Sequence, residues 1–242
     1  MARRMFYVQE VRGEQATLRG DAAQHVRKVL RAERGQRYEI SNFENIWLAE
    51  IADFGKDTVQ FNLLSPVEPV TAPASLHLFP ALIKFDHFEW ILEKATELGV
   101  ERITPIYALR TDKGLDQAAP KRMERWRKIL YESGQQARRL KLPELDAPCR
   151  LDQVLAQPLD HKFWLEEQQG AEPILRSLPV ERRQTATIGL LCGPEGGWDD
   201  RERLAASGAG WTSVSLGRQI LRAETAAIAG LSIIMAAWDS GT

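Results

Sequence analysis

Apolar positions along the first quarter of the chain come in short alternating runs: Met5–Val8, Gln15–Leu18, Tyr38–Ser41, Ile46–Ile51 and Thr58–Leu64. Runs of this length and composition predict strands. One helix, Ala22–Arg31, is expected among them, with Asp21 as its N-cap. Residues 65–74, SPVEPVTAPA, place three prolines in ten positions. That density favours an extended, exposed connection and marks the expected domain boundary.

Beyond the boundary, strand-like runs alternate with helical patterns. The runs are Leu76–Phe79, Arg102–Tyr107, His161–Leu165, Thr187–Cys192 and Thr212–Leu216; the helical patterns cover 87–98, 120–138, 200–206 and 223–238. Such alternation implies an α/β domain with a largely parallel sheet. In the first helix Phe88, Ile91, Leu92, Ala95 and Leu98 share one face, and Gly99 stands at the expected stop. Asp86 followed by Glu89 reads as a capping box. The chain contains no internal repeat and no low-complexity tract.

Composition adds limits. With 242 residues, 44% hydrophobic and 27% charged, the chain has a globular composition that excludes disorder, collagen and a disulfide scaffold. Cys149 and Cys192 stand alone with four scattered histidines, which argues against a metal site and for a reducing, cytoplasmic location. The most apolar stretch, Ala226–Trp238, is shorter than a membrane span and reads as a buried helix. The total charge of −1 points to no partner, but its distribution does. Residues 1–40 carry a net +4 and 121–141 a net +6, against −6 and −5 for the segments between and after them.

Two segments carry candidate chemistry. Gly193-Pro194-Glu195-Gly196-Gly197 follows an apolar strand and precedes a helix that Asp199 or Asp200 can cap. Ligands of open α/β sheets bind at carboxyl ends of strands, and glycines admit them close to the backbone. An ordinary strand-to-helix turn is the alternative. Neither a Walker loop nor a G-x-G-x-x-G motif occurs. The second segment, Ser215 to Ala226, also leads from a strand end into a helix and suggests another wall of the same crevice. Its plainer reading makes Arg218 and Arg222 surface charges and Glu224 a first-turn acid.

Taken together, GPEGGWDDRE and LGRQILRAETAAIAGL resemble the two signature loops of the bacterial 16S rRNA uracil-N3 methyltransferases (RsmE type) of the SPOUT superfamily. Further similarity lies in His25 to Arg31 with Gly35, in Lys84, Trp90 and Lys94, in Ala95 to Val100, and in Ile103-Thr104-Pro105. One departure is Gln135, where the family tends to have glutamate.

The resemblance implies an α/β fold in two parts: residues 1–70 as a PUA-like RNA-binding β-barrel, and 75–242 as a SPOUT domain with a trefoil knot that binds S-adenosylmethionine and dimerises. It implies an enzyme that methylates N3 of a uridine in the decoding region of 16S rRNA on the small ribosomal subunit. The alternatives are a SPOUT enzyme with a tRNA or ribose acceptor, and a non-catalytic ribosome-assembly module. By motif match the cofactor loops are Leu191, Cys192, Gly193, Pro194, Glu195, Gly196 and Gly197, then Leu216, Gly217, Gln219, Ile220 and Leu221, with Thr225 orienting ligands. Leu165 and Glu166 supply a third loop. Because uracil N3 must lose a proton before it can accept a methyl, Glu224 is the candidate base and Arg222 the stabiliser of the resulting charge. An alternative makes Arg218 and Arg222 phosphate clamps, with water or Glu195 taking the proton. RNA contacts are expected from Arg3, Arg4, Arg27, Lys28 and Arg31 in the small part, and from Lys84, Arg122, Arg125, Arg139 and Arg218 in the large one. Arg122, Arg125 and Arg139 are expected close to one helical face. Trp47 and Trp198 are candidate stacking partners, core packing being the alternative.

Overall fold

A computed structural model describes residues 4–168 and 170–240. Arg3 therefore lies outside the described residues. The chain divides into two compact units: Met1–Thr71 with Gly134–Leu142, and Ala72–Ser133 with Pro143–Thr242.

In the first unit β1 (Met5–Tyr7), β2 (Glu10–Arg12), β3 (Gln15–Arg19), β4 (Arg37–Ser41), β5 (Ile46–Phe54) and β6 (Thr58–Val67) form one sheet in the order β1-β4-β5-β6-β3-β2. β1 and β4 are parallel and the other pairs antiparallel. Inward positions Ala16, Leu18, Ile40, Ala49, Ile51, Val59 and Phe61 alternate along these strands and close a core with Val26. β6 runs three residues into the proline-rich segment, to Val67. β3 pairs only with Thr58–Asn62, so Pro66 lies beyond the part of β6 that β3 covers and pairs with Trp47 of β5 alone.

The expected helix Ala22–Arg31 takes a different form. Helix α1 (Gly20–Gln24) gives way to a wider π-helical turn over His25–Val29. Arg19, not Asp21, holds the N-cap position, and Asp21 lies in the first turn. The turn places Val26 fully in the core and ends at Val29, and Arg31, with a φ of 48°, stops any further helix.

The segment Gly134–Leu142 is tied to this sheet by two specific contacts. The Tyr7 hydroxyl donates to the Arg139 carbonyl at 2.6 Å, and Arg138 makes a two-pronged ion pair with the buried Glu39.

The second unit contains a seven-stranded sheet, all of whose pairs are parallel. Its strands are β7 (Ser75–Pro80), β8 (Arg102–Ile103), β10 (Glu144–Leu145), β12 (His161–Leu165), β13 (Glu172–Pro173), β14 (Thr187–Cys192) and β15 (Thr212–Ser215). Their order is β10-β8-β7-β14-β12-β15-β13. β9 (Ile106–Tyr107) and β11 (Cys149–Arg150) make a separate pair. The expected strand Arg102–Tyr107 is thus two strands split at Thr104-Pro105.

Helices α2 (Phe85–Glu97), α3 (Leu115–Ala118), α4 (Met123–Gln136), α5 (Leu151–Leu155), α6 (Ile174–Ser177), α7 (Asp200–Gly208) and α8 (Ala223–Asp239) complete the element list. Both sheet faces are buried, so the strands read as nearly continuous apolar runs. Leu76, Leu78, Phe163, Leu165, Ile188 and Leu190 face one core with α2 and α8; Phe79, Trp164 and Leu191 face another with α5 and α7.

Two local expectations are corrected here. No Asp86–Glu89 capping box forms, because Lys84 is the N-cap of α2 and Asp86 lies inside the first turn. Glu89 instead receives Arg125 at 2.6 Å through two guanidinium nitrogens. Nor do Arg122, Arg125 and Arg139 share a helical face: Arg122 belongs to a 3-10 turn before α4, and α4 ends at Gln136, ahead of Arg139. At the end of α2, Gly99 takes φ 89°, a left-handed stop as expected from its position.

Removing the Arg138 guanidinium leaves a buried carboxylate unpaired. Arg138→Ala should therefore lower stability by about 2 kcal/mol, discounted from the range for fully buried pairs because Arg138 is partly exposed. Urea unfolding with Glu39→Gln as a companion variant measures it, and the double variant should recover part of the loss.

Candidate active site

β14, β12 and β15 are neighbours in the sheet and parallel, so their carboxyl ends emerge side by side. Each end opens a loop on a common cleft of about 680 Å³. Leu165, Glu166 and Glu167 follow β12; Cys192 to Gly197 follow β14; Ser215 to Arg222 follow β15. Lys84 and His87 at the start of α2, and Glu224 at the start of α8, complete the lining.

The loops are held by a side-chain network beneath them. Arg203 on α7 donates to both Glu166 carboxylate oxygens at 2.7 and 3.1 Å, and to the Trp198 carbonyl at 2.6 Å. The buried Trp198 indole N–H donates to the Leu165 carbonyl at 2.9 Å. Trp198 is consequently a core residue that joins two loops, and its ring is closed to stacking. Burial alone would raise the Glu166 carboxyl, but hydrogen bonds from Arg203 and from the Gln168 and Glu167 backbones hold it below the usual carboxylate range. Asp199 caps α7 in a true capping box, with Glu202 returning to the Asp199 N–H at 2.9 Å.

Along the third loop Gly217 has φ 131°, a conformation closed to most side chains, and its N–H is held by Ser215 Oγ at 3.1 Å. Arg218, Gln219 and Ile220 are consequently carried outward on the cleft wall, exposed. Lys84, Arg218 and Arg222 have no ion-pair partner among the described residues, whereas Arg122 and Arg125 both approach Glu89.

Of the expected cofactor residues, Leu191 and Thr225 do not line the cleft. Leu191 is buried in the second core and Thr225 is exposed on α8. Glu224 is only 5% exposed, and its Oε2 has no hydrogen-bond partner among the described residues. Two cleft residues, Glu167 and His87, lie outside the sequence reading. His87 Nδ1 lies 3.6 Å from Glu195 Oε1 and 3.7 Å from Glu224 Oε1. Its only sequence signal was its place in the polar first turn of α2.

The cleft can take a ligand with a flat apolar part and a polar tail. Leu165, Pro194, Leu216 and Leu221 supply apolar wall, and the glycine-rich loops supply backbone donors and acceptors. No group of three or more His, Cys, Asp or Glu among the described residues could hold a metal ion.

A parallel sheet with its cleft at the carboxyl edge is the architecture of a ligand-binding α/β domain, and residues 70–235 match the RNA methyltransferase domain family. The chain belongs more narrowly to the ribosomal RNA small subunit methyltransferase E family. A member from Synechocystis sp. is 32% identical over 220 residues, 89% of this chain and 71% of that protein. One from Aquifex aeolicus is 27% identical over 232 residues, 96% and 98% of the two chains. Among solved structures, a methyltransferase from Legionella pneumophila with bound S-adenosylmethionine is 32% identical, with a TM-score of 0.86 over 98% of each chain.

Two outcomes test this geometry. Arg203→Met leaves Glu166 buried without its cation and should cost about 3 kcal/mol at neutral pH. The Glu166 contribution is present above its unfolded value near 4.5 and is lost as pH falls through the lower folded value. The variant should therefore lose that part of the acid dependence, read as urea midpoints at pH 7 and pH 3.5. Burial also pushes the Cys192 thiol far up, so iodoacetamide at pH 8 should leave native Cys192 unmodified in peptide mass spectra. Cys192 should react once the chain is unfolded.

Proposed function

We propose that the chain uses S-adenosylmethionine to methylate N3 of a uridine in the decoding region of 16S rRNA on the small ribosomal subunit. The observation that carries this reading is Glu224: a buried carboxylate on the cleft wall with an oxygen that accepts from no group among the described residues. Uracil N3–H is a donor that such an oxygen can take, and proton removal is the step the acceptor needs. Arg222, exposed and adjacent at the N-cap of α8, stabilises charge on the uracil oxygens. The cofactor, when bound, supplies an electrophilic methyl on sulfur. The cleft volume lies within the range of small-molecule sites, and the loops at Leu165–Glu166, Cys192–Gly197 and Leu216–Leu221 are the surfaces that hold it.

The same reading assigns the first unit as a PUA-like RNA-binding barrel and the second as a knotted SPOUT domain. Supporting the knot is the position of β14 between β7 and β12, both of which precede it in the chain. Exposed Arg4, Arg27, Lys28 and Arg31 in the first unit, and Lys84 and Arg218 in the second, are the cations proposed to meet phosphates. Arg122 and Arg125 join only if RNA displaces them from Glu89, and Arg139 acts separately from them. The working form is a homodimer: Ala227, Leu231, Ile234 and Trp238 of α8 are buried in its own unit, while Ile228 and Ser232 remain partly exposed for a second copy. No helix among the described residues is long and apolar enough to cross a membrane, and a cytoplasmic place beside ribosomes is part of the proposal.

The test is nucleoside mass spectrometry on small subunits from cells lacking this gene, incubated with the protein and S-adenosylmethionine. 3-Methyluridine should appear. Glu224→Gln and Arg222→Gln should each slow a single turnover about 100-fold or more while leaving cofactor affinity within about twofold. Absence of 3-methyluridine despite cofactor binding would transfer the assignment to another RNA acceptor.

A further inference from the structure

Glu195, in the loop after β14, and Glu224, in the first turn of α8, converge on one atom. His87 Nδ1 stands 3.6 Å from the first carboxylate and 3.7 Å from the second, is itself shielded from solvent, and has no hydrogen-bond partner among the described residues. An imidazole nitrogen carries at most one proton, so Nδ1 can donate to one of the two acids at a time. The opposite side of the ring points towards α2's own Asp86, with Nε2 3.7 Å from Oδ2, and the side chain keeps 30% exposure. One edge of the ring therefore faces the buried Glu224 and the exposed Glu195, and the other faces the exposed Asp86.

We propose that His87 is the positioning residue that clears the abstracted proton from Glu224, with Glu195 as the second acid sharing its Nδ1. This rests on the reading of Glu224 as the base that accepts the uracil N3 proton. The balance is simple. The N3–H bond breaks and its electron pair stays on the uracil; the proton forms an O–H bond on Glu224. That O–H then breaks as its proton passes to the Nδ1 lone pair of a neutral His87, restoring the Glu224 carboxylate. The imidazolium releases a proton from Nε2 to water, which leaves His87 neutral with its proton on Nδ1. Exchange with water returns it to the starting tautomer. No oxidant or further reactant is consumed.

The charged groups around the ring come from several elements. Asp86, Glu195 and Glu224 approach the ring from α2, the loop after β14 and the start of α8. Lys84 and Arg222 supply positive charge on the same cleft wall, and Glu166 and Glu167 line it from the loop after β12, the former held by Arg203. Either of the two acids alone could hold the histidine ring; having both makes Nδ1 a junction rather than a fixed donor.

His87→Asn tests this, because its amide N–H can still donate to a carboxylate but cannot ionise. Single-turnover methyl transfer to unmodified small subunits is measured from pH 5.5 to 9. The variant should be about 10- to 100-fold slower and lose an ionisation that the wild-type profile shows, with cofactor affinity unchanged within about twofold. A structural role alone would lower the rate without altering the shape of the profile. Independently of activity, the His87 imidazole signals are followed by NMR through a pH titration in wild type, Glu195→Gln and Glu224→Gln. Each substitution removes a negative neighbour and should displace the curve to lower pH. A His87→Asn profile that superimposes on wild type, or imidazole signals indifferent to both substitutions, overturns the relay. If wild type itself forms no 3-methyluridine, the acceptor assignment fails, and the NMR titration still decides whether His87 is coupled to the two acids.

Discussion

The ion pair of Arg203 with Glu166 is the interaction on which the cleft depends. Its two side chains are only 13% and 6% exposed, so each charge has surrendered most of its hydration and must be repaid locally. Arg203 repays it in several directions: to Glu166, to the Trp198 carbonyl, and to Asp200 and Glu167. A guanidinium suits this place because its planar fork serves several acceptors in fixed directions, which a lysine could not. The result fixes the loop after β12 against the loop after β14 before any ligand arrives, and a preformed cleft spares a ligand the entropic cost of ordering them.

That network would be idle without the strand order. Three consecutive sheet neighbours, β14, β12 and β15, are far apart in sequence but parallel, and parallelism is what sends all three chains out of the same edge. Burial of both sheet faces makes the register unforgiving. Leu190 and Leu191 face different cores, so a one-residue slip of β14 would exchange a leucine packed against α2 and α8 for one packed against the Trp164 and Trp211 side. The backbone positions of Gly193 to Gly197 inherit their placement from that register.

Much of the second unit was legible because its signals were local and mutually consistent. The apolar runs His161–Leu165 and Thr187–Cys192 coincide with β12 and β14, and Gly99 stops α2. Failures arose where a long-range partner outweighed the local pattern. Glu89 has the spacing of a capping acid but is taken by Arg125, thirty-six residues away. The basic run after Lys121 looks like one helical face, yet the chain leaves the helix at Gln136 and Arg138 turns to Glu39. Leu191 sits inside a signature motif but spends its side chain on the core. His87 was invisible for the converse reason: nothing at positions 86–88 shows that Glu195 and Glu224, more than a hundred residues on, will close around it.

The cleft separates its charges in a way that bears on mechanism. Lys84, Arg218 and Arg222 are exposed and have no acidic partner among the described residues, whereas Glu224 is buried and His87 half-buried. Cations at the rim can bind a polyanion without losing much hydration, while a base works best where water does not compete for its lone pairs. If the positions were reversed, a buried arginine would demand a permanent counter-ion and an exposed glutamate would meet water before it met a nucleobase. On the proposed reading, the phosphates are gathered at the rim and only the base edge enters. With a base seated over it, the carboxylate then needs a route other than the cleft mouth for the proton it takes. An imidazole with one nitrogen against that carboxylate and the other side towards solvent meets this requirement with a single side chain.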